Sequence, residues 1–512
     1  MALYKDHPLQ DPDSIRVLKL FPGDSDAAIE VSATTVRLSA QPNFIALSYT
    51  WGNPVDERHP SYREYDNVEY HISCAGEPLA VYQNLYEALW QLREKQEYSL
   101  LWIDAICIDQ RNIEERNHQL SLMPRIYYGA SSVIIWLGKD DVSTPEAVEI
   151  LNNLQYQGAL LTQSMMRYVA TTSFLDSIPH GKKHALQLLF RRRWFDRVWT
   201  LQEVLLPQRT RCLCGPYELN IADASQFAAH LLKVMLSGLA ASETWRVPDL
   251  LPICGFGSRA FLRFPKIDRK LEIPGSFKWL VALELFVHES RQRNCCKLED
   301  KVLAPLAFAL HDQFAPETPD YLPLKTEARS LIDCRISVIE LYRKFTHFMI
   351  DSMANLDILS RAHRDVPHDD ATKELNLPSW VPPFQKPGTT SLIDDLLFTQ
   401  YNAADHLGPY CRVEIPTKAL ELPARAVFFG RIVQISAHTA PADNTCAWLA
   451  HVRNSERYKQ EIESGDHHDL AQVVIRNVGE RLDLGLKVVA KRREYHEKPC
   501  GGYSASTYMA ND

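Results

Sequence analysis

Two short segments of this 512-residue chain concentrate side chains able to do chemistry. In Leu100-Leu101-Trp102-Ile103-Asp104-Ala105-Ile106-Cys107-Ile108-Asp109-Gln110, two carboxylates stand inside and just after a run apolar enough to be a buried strand. In Arg193-Trp194-Phe195-Asp196-Arg197-Val198-Trp199-Thr200-Leu201-Gln202-Glu203, the spacing of Trp199 and Glu203 puts an indole and a carboxylate on one helix face. An acid in such surroundings is costly unless it is hydrogen-bonded or used. Glu203 is therefore either a polar anchor that, with Gln202, ties down backbone at a domain junction, or part of a site. Asp104 has the same two readings: a strand-end carboxylate accepting N–H groups of the next turn, or a site acid. Arg191-Arg192-Arg193 with Arg197 is either a solvated helix end or a cation set able to hold a pyrophosphate.

The common catalytic motifs are missing. There is no GxxxxGK[ST] loop, no GxGxxG after a strand, no GxSxG elbow and no HExxH pair. The eleven cysteines form no CxxC pair, so no metal site and no bound cofactor are expected.

The elements that position these residues follow from hydropathy. Phe44–Tyr49 reads as a short buried strand stopped by Thr50-Trp51-Gly52-Asn53-Pro54, and residues 100–108 as a second. Ser132–Gly138 reads as a third, and Arg211–Cys214 as a last. Glu69–Cys74 is expected to be a hairpin arm turning at Gly76. Between them, Asn84 is expected to cap an amphipathic helix, and Asn112 with Glu115 to form a capping box. Pro124 is expected to kink that second helix, and a further helix is expected from Trp194 to Leu206. Strands alternating with helices predict a doubly wound parallel sheet over residues 40–216, preceded by an arm, 1–39, with one strand near Ser14–Leu20. Residues 217–485 read as a mainly helical domain with a small β-rich end at Val427–Ile435, and 486–512 as a disordered tail. In a doubly wound sheet, ligands bind at the carboxyl ends of the strands. Ser48, Tyr49, Trp51 and Asp104 would converge there.

The bulk numbers set limits. A formal charge of −8 argues against nucleic-acid binding driven by phosphate neutralisation. The N-terminal residues lack a signal-peptide core, and the scattered cysteines point to a reduced, cytoplasmic setting. The apolar stretch from Phe227 to Ala241 is too short to span a bilayer and reads as a packed helix.

Three blocks resemble the HET (heterokaryon incompatibility) domain family of filamentous fungi: Phe44–Gly52, Leu101–Gly138, and Trp194–Glu203 with Cys214-Gly215 following. Arg291–Ala309, Pro319-Asp320-Tyr321, Leu356–Ser360 and Leu377–Pro382 resemble the C-terminal half of stand-alone members. The sequence departs from the family at Pro124, and beyond about residue 485 it lacks the Gly-rich β segment with which such proteins close. A shortened C-terminal domain is expected from that. The resemblance implies non-self recognition and regulated cell death, with a TIR-like fold for the α/β half. Some TIR domains hydrolyse NAD. By that likeness Glu203 would be the catalytic carboxylate and NAD the substrate. Ser48, Tyr49, Trp51, Asp104, Trp199, Arg193 and Arg197 would form the substrate site. The competing expectation is a non-catalytic module that self-associates or binds a protein encoded by an incompatible allele. A specialised member serving another pathway, such as a metabolite gene cluster, is a third.

Overall fold

All six residues of Phe44–Tyr49 are buried, as a strand covered on both faces requires. In this computed structural model the described residues are 2–386 apart from residue 25 and the segments 66–68, 96–99, 159–179, 237–252, 254–274, 313–318, 320, 354–357, 359–374 and 379. All belong to one compact unit. The expected β-rich run at Val427–Ile435 and the tail from 486 lie outside them.

The strands are β1 (Ser14–Leu20), β2 (Glu30–Arg37), β3 (Phe44–Tyr49), β4 (Glu69–Cys74) and β5 (Glu77–Tyr82). β6 (Leu100–Trp102), β7 (Ser132–Trp136), β8 (Thr210–Cys214) and β9 (Tyr217–Leu219) complete them. The helices are α1 (Ala2–Asp6), α2 (Gln83–Glu94), α3 (Asp104–Cys107), α4 (Ile113–Gly129), α5 (Thr144–Gly158) and α6 (His180–Phe190). They continue as α7 (Thr200–Leu205), α8 (Ile221–Leu236), α9 (Gly275–Ser290), α10 (Asp300–Ala309), α11 (Leu322–Ser330) and α12 (Val338–Met353).

The described strands form one nine-stranded sheet, ordered β5-β4-β2-β1-β6-β3-β7-β8-β9. Its centre, β6-β3-β7-β8, is parallel, as the alternating pattern predicts. The whole sheet is mixed rather than parallel, because β1 pairs antiparallel with both β2 and β6 and β9 folds back on β8. The lead-in residues thus supply two strands where the sequence suggested one. β2 escaped notice because its burial is patchy, with exposed Glu30, Thr34 and Arg37.

Three local expectations change. The strand expected over residues 100–108 ends at Trp102, and Asp104 opens a single helical turn by accepting the Ala105 N–H at 2.8 Å. Asn84 lies inside α2, not at its cap; its amide donates to the Thr50 carbonyl at 2.7 Å and accepts the Trp136 indole N–H at 2.9 Å. It therefore ties the ends of β3 and β7 together. Asn112 does cap α4, accepting from the Glu114 and Glu115 N–H groups, but Glu115 completes no box. Its carboxylate instead accepts from Arg16 and from the Asp109 N–H at 2.7 Å, stitching β1 to the loop after β6. α4 runs from Ile113 to Gly129 with Pro124 inside it.

The parallel register sets what faces where. Ser48 lies opposite Ile135 and Tyr49 opposite Trp136. Alternation sends Ser48 and Tyr49 to opposite faces of the sheet. On the Ser48 face Trp102 meets Tyr127 of α4 edge-on, centroids 5.5 Å apart, a contact worth about 0.5–1.5 kcal/mol beyond area. The helical region packs on the same side, α10 against α4.

The loop after β7 turns at Gly138, whose φ of +104° is left-handed and whose added Cβ would sit 2.8 Å from Pro54 Cγ. Gly138→Ala is expected to lower stability by about 1–3 kcal/mol, read as a reduced urea midpoint. An unchanged midpoint would show that the loop can shift away.

Candidate functional site

Glu203 emerges from the first turn of α7 and is only 2% exposed. Ser48, at the end of β3, donates to Glu203 Oε2 while its Oγ accepts the Trp194 indole N–H at 2.7 Å. The Tyr127 hydroxyl donates to the same carboxylate. Burial pushes the Glu203 carboxyl above the usual range, with Arg197 and the bonds from Ser48 and Tyr127 pulling the other way. This is a buried acid with its acceptors in use, the condition under which such a group is tolerated.

Arg197 is partly buried and donates to the Tyr49 carbonyl. Burial opposes its charge, but the nearby Glu203 and Asp104 carboxylates outweigh that and raise its pKa. Asp104 is pushed up by burial and held down by Arg197 and by the Trp51 indole, whose N–H reaches both oxygens at 3.0 and 3.1 Å. Ser48, Tyr49, Trp51, Asp104, Arg197 and Glu203 thus gather around the carboxyl ends of β3 and β6, where the topology predicted.

Trp199 and Arg193 do not join them. The expected helix from Trp194 is a string of turns up to Trp199, which only then enters α7. Trp199 turns its indole N–H to Asp300 of α10. Arg193 lies over the Tyr62 ring, 5.8 Å from its centroid. Gln202 does not anchor backbone either: its amide is 1% exposed and has no hydrogen-bond partner among the described residues.

The basic run is divided by function. Arg192 is buried and donates to the carbonyls of Leu137 and Lys139 at 3.1 and 2.8 Å and to Asp141 at 2.7 Å. Asp141 also accepts from Ser143 and lies 3.4 Å from His59 Nε2. Burial would raise the Asp141 carboxyl, but His59, Ser143 and Arg192 hold it well below the usual range. This cluster secures the loop after β7. Sequence reading missed it, as it missed Tyr127 and Trp194, because contacts formed across 50 to 150 residues leave no local pattern.

A second clamp fastens the Glu203 segment to the helical region. Asn294 donates from its backbone to the Asp196 carbonyl and from its side chain to Asp196 Oδ2 at 2.7 Å, while its own carbonyl accepts the Val198 N–H at 3.0 Å. Arg293 donates to the Phe195 carbonyl at 3.0 Å. Lys301 holds this turn from behind, its ammonium donating to the carbonyls of Ser290, Arg291 and Arg293. Burial pushes Asp196 up to about 6, against Asn294 and Arg293, and Asp300 up to about 6, against Trp199. A carboxyl raised on folding stabilises the folded state while protonated. That contribution is fully present below about 4 and lost as pH rises through about 6. Unfolding free energy is therefore expected to fall between pH 4 and 6, by at most about 3 kcal/mol per acid. Urea unfolding across this range measures it, and Asp196→Asn with Asp300→Asn should flatten the slope.

No group of three or more His, Cys, Asp or Glu among the described residues could hold a metal ion. No described helix is long and apolar enough to cross a membrane.

Residues 44–203, from the start of β3 to Glu203, match the family model described as "Heterokaryon incompatibility protein (HET)". The chain is similar to "Heterokaryon incompatibility protein 6, OR allele" of Neurospora crassa, 25% identical over 420 residues that cover 74% of this chain. The matched region spans 59% of that relative's length. No solved structure matches.

Proposed function

We propose that this protein acts in fungal non-self recognition, working from the cytoplasm, and that its HET domain is a signalling module leading to regulated cell death. The HET match over residues 44–203 and the similarity to a heterokaryon incompatibility protein support the role. The state of Glu203 carries the module reading: it is buried and bonded by Ser48 and Tyr127. The domain then signals by self-association or by binding a protein encoded by an incompatible allele.

A second reading, NAD cleavage, is favoured by one observation. Glu203, Asp104 and Arg197 lie within electrostatic reach of one another at the carboxyl ends of parallel strands, and clusters of perturbed ionisable groups mark sites. The parallel centre of the sheet is compatible with a TIR-like comparison. Breaking the nicotinamide–ribose bond builds positive charge on the ribose, which a carboxylate stabilises. Nicotinamide leaves as a neutral pyridine, and water adds to the ribose C1′ and gives up a proton, yielding ADP-ribose. Glu203 would reach substrate only after the Tyr127 and Ser48 contacts open, as assembly could bring about.

Induced expression in a filamentous fungus, scored by dye uptake in fused and unfused hyphae, tests the role. Death confined to fused cells supports it; equal survival of both overturns it. NAD consumption by the purified protein, dilute and crowded, separates the mechanisms. Glu203→Gln is the control, since the amide keeps an acceptor for Ser48. NAD loss abolished by this change establishes the enzyme. Intact NAD under both conditions with death retained leaves the module.

A further inference from the structure

On the sheet face opposite Glu203, beside the end of β3, opens a cleft of about 240 Å³. Tyr4, Tyr49, Trp51 and Tyr82 line it with Glu69 and Asp109. Trp51 is 40% exposed and Tyr82 45%, so two large rings stand at its mouth in contact with water. The Trp51 indole is fixed by its N–H bonds to both Asp104 oxygens, which also enrich the ring in electron density. Tyr4 already accepts one cation on a face: the Arg16 guanidinium lies 4.9 Å from its centroid.

Charge and size narrow the ligand. Glu69 and Asp109 line the cleft against a single exposed cation, Arg111, while the Asp104 carboxylate behind Trp51 is set against Arg197. An anion would be repelled by the carboxylates, and a neutral apolar ligand would desolvate them without return. Aromatic faces attract cations, and several rings around one site are the usual way to hold a quaternary ammonium. The volume lies below the range of about 300–1,000 Å³ common for drug-sized ligands. We propose that the cleft binds a small organic cation of the quaternary-ammonium class, held by the rings of Trp51, Tyr82 and Tyr49 and by the carboxylates of Glu69 and Asp109. The cleft shares Tyr49 and Trp51 with the cluster around the end of β3, but cation binding there is read directly and does not depend on whether NAD is cleaved.

Titration calorimetry on the full chain tests this with choline and its neutral carbon isostere, dimethylbutanol. Choline is expected to bind about tenfold or more tighter, since the two differ only in charge. Tyr82→Ala, a change at an exposed ring, and Asp109→Asn, which keeps the acceptor for the Arg111 N–H, should each weaken choline about tenfold and leave the unfolding midpoint unchanged. Equal affinity for choline and the isostere, no binding of choline, or binding insensitive to both substitutions overturns the proposal.

Discussion

Replacing Glu203 by alanine is expected to destabilise the protein by about 3–5 kcal/mol, whatever the carboxylate does in the cell. The change leaves the Ser48 and Tyr127 hydroxyls without their acceptor and Arg197 without one of the two carboxylates that sustain its charge. Removing one partner of a buried charged network costs more than the network contributes, because the remaining groups stay desolvated. Glu203→Gln keeps the shape and one acceptor, so a smaller loss of about 1–3 kcal/mol is expected. Urea unfolding of the three forms decides it; an alanine variant within about 1 kcal/mol of the parent would show that the network contributes little. The same numbers bear on any functional assay, since a silent Glu203→Ala protein is as easily unfolded as inactive.

The second large effect is expected at Arg192. Arg192→Ala removes four side-chain hydrogen bonds, to Leu137, Lys139, Asp141 and Thr144, and leaves Asp141, 12% exposed, facing His59 without its guanidinium partner. A cost of about 3–5 kcal/mol follows from stranding a buried carboxylate and two carbonyls. Arg192→Lys should recover only part of it, because an ammonium cannot reach the Leu137 and Lys139 carbonyls and Asp141 with the geometry of a planar fork. Thermal unfolding measures both variants. Equal midpoints for Arg192→Lys and the parent would show that charge alone secures the loop.

Sequence showed clearly the buried strands β3 and β7, whose apolar runs leave no other home, and the placement of Ser48, Tyr49, Trp51 and Asp104 around the carboxyl ends of β3 and β6. It also showed Asn112 as a cap, a rule of backbone donors that operates within four residues. It misjudged what depends on distant partners. Glu115 has the spacing of a capping box but is claimed by Arg16, 99 residues away. Trp199 and Glu203 have the spacing of one helix face, yet α7 starts at Thr200 and the two side chains answer to different elements, Asp300 and Ser48. Arg192 resembles its neighbours in the string and differs from them only because the fold encloses it.

The turn at 290–294 grips the chain at 195–198 by backbone bonds in both directions, with Lys301 fastened behind it. The two stretches therefore move as gear teeth rather than as neighbours. Val198 and Asn294 amides should exchange with solvent in step, by one shared opening. Any event that displaces the helices on one side of the mesh must turn the segment that carries Glu203 on the other.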